Sequence, residues 1–264
     1  MYRSDHLYSL LLFRYKERVN AALACNRTKE RVMSVIIDGM DQNHCRVPYL
    51  GTQNSFSTPI KQIITGIKEH GHGVTIYRTI NTVKKGANLN IHCFLMQLEA
   101  WYARNQCYPE EIYIQADGGC ENANAELLAY LELLVAKRMT KAIYFTRLPV
   151  GHTHEDIDAC FAIIWSIFRN AQCLTFAEYK SMIERCFRHE NLQATVQDVY
   201  VTPDYVEFMT PCIESKLSGM HKTEKTQHQW RFLAVPRSAY FPLGCKTTYR
   251  AYSSDRVVEP TSDD

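Results

Sequence analysis

The sequence predicts an α/β fold, a mixed sheet with helices packed on both of its faces. Three observations predict it. Strand-like and helix-like segments alternate along the chain. Two of the apolar strands run straight into aspartate, VIID at 35–38 and IYIQAD at 112–117. The composition, 46% hydrophobic and 22% charged over 264 residues, is that of a globular chain with an ample core.

The elements follow in order. Residues 7–24 carry Leu10, Leu11, Tyr15, Val19 and Ala22 at helical spacing and are expected as an amphipathic helix. RVMSVIID (31–38) is a strand. IKQIITGIKE, the HGHG turn at 70–73 and VTIYRTI form a hairpin with a glycine-containing connection. NLNIHCFLMQLEAWYARN places Ile91, Phe94, Leu95, Leu98, Trp101 and Tyr102 on one helical stripe. EIYIQAD (111–117) is a strand, and ENANAELLAYLELLVAKR follows as a helix with Leu127, Leu128, Leu131, Leu134 and Val135 inward. KAIYFTRL (141–148) is a strand, PVGHTHEDIDACFAIIWSIFRN runs through a loop into a helix, and a further helix spans 176–187. Alternating units of this kind imply helices covering a mixed sheet.

Several classes are excluded at this level. No stretch approaches the roughly 18 uninterrupted apolar residues of a membrane-spanning helix. The opening MYRSDHLYSLLLFRYKERVN is interrupted by charge and lacks a small-residue cleavage site, so it reads as a helix rather than a signal peptide. The ten cysteines include no C-x-x-C pair, which fits reduced thiols in the nucleus or cytoplasm rather than secretion. The net charge is only +2, but it is unevenly spread. Seven basic residues stand against three acids from Arg3 to Arg31, and seven acids against one base from Glu99 to Glu132.

Chemistry gathers at the carboxyl ends of parallel strands, where Asp38 and Asp117 stand. A turn residue explains either one alone; a third acid separates the readings. GHTHEDID offers Glu155, Asp156 and Asp158. Thr153 suits an N-cap with Asp156 three residues on, and Glu155 and Asp156 suit the positive end of the helix. Asp158 shares a face with Phe161, Ala162 and Trp165, which are expected to point at the sheet, so it needs a partner. Asp38, Asp117 and Asp158 are therefore the preferred triad, with Glu155 and Asp156 as alternatives. Converging carboxylates repel unless cations neutralise them, and Mg²⁺ or Mn²⁺ suits an all-oxygen set. Two such ions would serve phosphodiester chemistry. His152 and His154 admit a zinc hydrolase as a rival, but no H-E-x-x-H is present and i, i+2 spacing fits a loop. His154 is instead a general acid/base candidate. Tyr200, Tyr205, Trp230 and Arg231, near Lys216, Lys222 and Lys225, read either as a nucleic-acid surface or as a packed aromatic cluster.

A first strand ending in aspartate, an adjacent hairpin, a second aspartate after the fourth strand and a third acid on a late helix resemble the plan of RNase H-like nucleases, integrases and DDE/DDD transposases. More specifically, IIDGMDQ, IYIQADGGCENANAELLAYLELLV and LPVGHTHEDIDACFAIIW resemble a family of little-characterised domains in transposon-derived genes. The resemblance spans about residues 31–240, including KKGANLNIHCF and WRFLAVP. It implies an RNase H-like sheet of three antiparallel and two parallel strands. It implies Asp38, Asp117 and Asp158 as ligands, with Asp117 bridging two Mg²⁺ or Mn²⁺ ions. Asp41, Gln42, Glu121, Asn122, Asn124, His152 and Thr153 match supporting positions. Gly118 stands where the pattern has asparagine and Ala123 where it has lysine, so a catalytically inactive module binding nucleic acid or protein is the alternative function. The resemblance further implies DNA, in the form of transposon ends, as partner, a homo-oligomer, and a DNA-binding region upstream of this chain. The expected organisation is a helical connector at 1–30, a catalytic core at 31–190, and a loop-rich extension at 191–264 with short strands and an acidic tail.

Overall fold

The strand VMSVIIDG, β1 (Val32–Gly39), lies at the centre of the sheet. Its residues explain why: Met33 to Ile37 are all buried, as befits a strand covered on both faces. The computed structural model describes residues 16, 19, 20, 23, 31–50, 58–80, 82–116, 124–147, 156–187, 194–216 and 227–251. After β1 come β2 (Arg46–Val47), β3 (Ile60–Glu69), β4 (Gly73–Ile80), α1 (Ala87–Asn105), β5 (Glu111–Ala116), α2 (Ala125–Ala136) and β6 (Ala142–Arg147). Then follow α3 (Asp156–Phe168), α4 (Phe176–Cys186), β7 (Ala194–Val199), α5 (Tyr205–Lys216), β8 (Gln227–Ala234) and β9 (Cys245–Ala251).

Among the described residues the strands form one nine-stranded sheet in the order β7-β4-β3-β1-β5-β6-β8-β9, with β2 paired to β3. β3 is antiparallel to β1 and to β4, while β5 is parallel to β1 and to β6. These are the three antiparallel and two parallel strands expected, and their order is that of an RNase H-like sheet. Three further strands extend it: β7 parallel to β4, β8 antiparallel to β6, and β9 antiparallel to β8. The stretch expected as a loop-rich extension thus builds both edges of the same sheet.

The helices lie close to their expected bounds. α2 begins at Ala125, because Asn124 Oδ1 accepts from the Leu127 amide at 2.8 Å and caps the first turn. α4 begins at a Thr175/Glu178 capping box. In the expected 7–24 helix, Lys16, Val19, Asn20 and Leu23 are described and helical; the rest lies outside the described residues.

Alternation along β1 divides the core in two. Met33, Val35 and Ile37 join one cluster with Phe94 and Leu98 of α1 and Leu128 and Leu131 of α2. Ile36 and Met40 join the other, with Ile157 and Ile164 of α3 and Tyr179 and Ile183 of α4. Trp230 and Phe232 of β8 lie in the first cluster, and Trp230 packs on Phe145 with ring centroids 5.5 Å apart. Tyr205 also packs against that cluster, while Tyr200 is exposed and Arg231 lies over Tyr144. Of the aromatics in doubt, Trp230 and Tyr205 therefore serve the core.

Cys45, Cys93, Cys107, Cys160, Cys173, Cys186 and Cys245 are free thiols. Burial pushes the Cys45 thiol up to about 12, so it stays protonated at neutral pH. No helix among the described residues is long and apolar enough to cross a membrane.

Candidate active site

Asp38 is the penultimate residue of β1 and half-buried. Ile36 and Met40 both face the α3 side, so strand alternation turns Asp38 to that side as well. The Gly39 amide donates to Asp38 Oδ1 at 2.7 Å, which orients the carboxylate at the strand's end.

The residue paired with Asp38 on β3 is Gly66. A Cβ there would stand 2.9 Å from Phe161 Cζ and 3.0 Å from Ile157 Cδ1. Only a glycine lets α3 settle this closely on the sheet. The first two turns of α3 therefore rest on the register mate of Asp38, and Asp158 lies between the two residues that make the contact.

Asp158 is half-buried. The buried stripe of α3 is Ile157, Cys160, Phe161, Ile164 and Phe168. Ala162, expected to point at the sheet, is exposed, so Asp158 occupies the flank of the stripe rather than its centre. The direction of that flank is readable from Trp165, one heptad on and within about 20° around the helix. Trp165 stacks on His44 with centroids 3.6 Å apart, and His44 closes the 3-10 turn Gln42–His44 just beyond β1. The Asp158 flank thus faces the chain leaving β1.

Asp156 is engaged elsewhere. Its Oδ2 lies 3.6 Å from Lys68 Nζ and 3.7 Å from His70 Nε2. His70, read from sequence only as part of a turn, is buried, with Nδ1 2.9 Å from Ser34 Oγ. These contacts are half-exposed on the aspartate side and worth about 0–1 kcal/mol. Each fully buried apolar residue of the α3 stripe contributes about 1.5–3 kcal/mol. Packing therefore sets where α3 lies, and Asp156 adjusts its amino-terminal end.

Asp41 Oδ1 accepts from the Asn43 amide at 2.9 Å and caps the 3-10 turn, whose first residue is the exposed Gln42. Asp117, Glu121, Asn122, His152, Thr153, His154 and Glu155 lie outside the described residues. Ala116, bonded to Asp117, pairs with Ile37, bonded to Asp38. Among the described residues no three His, Cys, Asp or Glu side chains gather as a metal-ligand group. Burial also raises the Cys160 thiol, so α3 presents no thiolate here.

Two residues at this end of the sheet went unrecognised in the sequence. Gly66 has no local signal, being required by a helix about ninety residues away. Lys85 sits in the β4–α1 connection and lays its ammonium beside Gly39. KKG before a helix was its only mark.

A family model described as "Domain of unknown function (DUF7869)" matches residues 52–241, and the chain belongs to that family. The matched span includes Asp117 and Asp158 and begins after Asp38. No curated protein matches. Among solved structures, the human cytomegalovirus terminase nuclease domain is similar at 12% identity. The match covers 70% of this chain and 74% of that one, with a TM-score of 0.27.

Proposed function

We propose that this member of the DUF7869 family is a transposase-like nuclease domain that cuts or joins DNA phosphodiester bonds, with Asp38, Asp117 and Asp158 holding divalent metal. The observation that carries the reading is the seating of α3 on Gly66. Ile157 and Phe161, on either side of Asp158 in sequence, rest on the residue paired with Asp38, and that supports the reading.

The donor chemistry fits a hard cation. Asp38 and Asp158 are half-buried carboxylates, and the nearby Cys45 and Cys160 thiols are kept neutral by burial. An oxygen-only set of this kind selects Mg²⁺ or Mn²⁺ over zinc. When bound, such ions supply an activated water or sugar hydroxyl and neutralise charge at the leaving oxygen. The chain's own part is orientation. The Gly39 amide fixes Asp38, and the α3 stripe fixes Asp158. In this reading His154 moves the proton, and DNA is the partner.

A DNA nicking assay in Mg²⁺ and in Mn²⁺ tests this. D38N and D158N are expected to abolish cleavage while leaving the fold intact, and D156N is expected to retain it. Wild-type rates in D38N or D158N would refute the assignment. The second reading, a module that binds without cutting, is favoured by Gly118 and Ala123. It predicts DNA binding with no nicking in any variant.

A further inference from the structure

We propose that Lys85 holds a backbone phosphate of the nucleic acid at this site, its ammonium pairing with a non-bridging oxygen. The inference rests on the reading of Asp38 and Asp158 as a DNA-cutting site and deepens it, naming a residue that grips the polyanion.

The geometry is specific. Lys85 stands between two buried anchors, Val83 and Leu89, and the Val83 amide donates to the Ile80 carbonyl at 3.2 Å. Gly86 follows with φ +151°, a conformation that a side chain would strain. The connection is thus held on both sides, and the Lys85 side chain is laid over the end of β1. A Cβ built on Gly39 would lie 3.7 Å from Lys85 Cε and 3.8 Å from Nζ. Gly39 is bonded to Asp38 and donates to its carboxylate. Successive positions of a strand point to opposite faces. The Lys85 ammonium and the Asp38 carboxylate therefore flank one strand end from opposite sides of the sheet.

The chemistry follows from charge. An acidic cluster suited to cations repels a polyanion, so the backbone must be gripped by positive groups around it. An ammonium serves phosphate as a point charge without demanding bidentate geometry. Lys85 is exposed, so it reaches a phosphate without being stripped of water first. A contact within the free protein is compatible with this role, because exposed ion pairs are weak and exchange readily.

The test is the salt dependence of affinity of the full chain for mixed-sequence duplex DNA, with Ca²⁺ as the divalent ion. One lost phosphate contact lowers the slope of log K against log salt by about 0.9. K85M is expected to show that drop and to weaken binding equally on unrelated sequences, while K85R keeps the slope. K141M removes the same charge at the amino end of the strands, where Lys141 pairs with Glu110 at 2.6 Å, and is expected to match wild type. An unchanged slope in K85M, or an equal drop in K141M, overturns the assignment of Lys85 while leaving the nuclease reading standing. Wild-type protein that binds no DNA overturns both.

Discussion

At the scale of single residues, the carboxylate at the end of β1 depends on a residue that carries no chemistry. Gly66 pairs with Asp38 and leaves room for Phe161 and Ile157, so its hydrogen is as necessary as the acid it faces. G66A places a methyl group 2.9 Å from the Phe161 ring. Overpacking of that kind costs about 1–3 kcal/mol, and denaturant unfolding is expected to show it. Trimming the ring in the double variant G66A/F161L is expected to recover part of the loss. Full additivity of the two changes would contradict the contact. Asp38 was legible in the sequence, because an apolar strand ending in aspartate is a local pattern. Gly66 and Lys85 were not, because each is defined by what a distant segment lays against it.

At the scale of elements, the helices and the five central strands were legible, since their apolar residues recur at helical spacing or as short runs between turn residues. β7 was not: only Val196 and Val199 of its six residues are buried, too few for a clear alternation. β8 does alternate, with Trp230 and Phe232 inward and Arg231 outward, but its aromatic and basic residues read either as a packed cluster or as a nucleic-acid surface. The burial of Trp230 and Phe232 makes the last strands part of the core. Trp230, Phe232 and Cys245 contribute to the same cluster as β1 and α1. Each fully buried large residue contributes about 1.5–3 kcal/mol, against a total stability of about 5–15 kcal/mol. A chain ending at residue 190 loses these together with Val196, Val199 and Met209. It is expected to lack a cooperative melting transition by calorimetry. A sharp transition near that of the full chain would show that residues 31–190 stand alone.

For the molecule as a whole, sheet order determines which acids can meet. β1 lies between β3 and β5. Asp38 accordingly has Gly66 and the α3 contact on one side and the strand leading to Asp117 on the other. The resemblance in IIDGMDQ and GHTHEDID implies a site at this end of the sheet, and the register pairs Ala116, bonded to Asp117, with Ile37, bonded to Asp38. Asp158 was chosen over Asp156 on an argument about helix faces. Asp156 lies 3.6 Å from Lys68 Nζ and 3.7 Å from His70 Nε2, while Asp158 sits on the flank of the buried stripe. The central claim, that these acids together hold metal, is tested most directly by calorimetric titration of Mn²⁺ into the wild-type protein and D38N/D117N. The account predicts saturable binding in the wild type that disappears in the double variant. Equal binding in both, or none in either with DNA present, would contradict it.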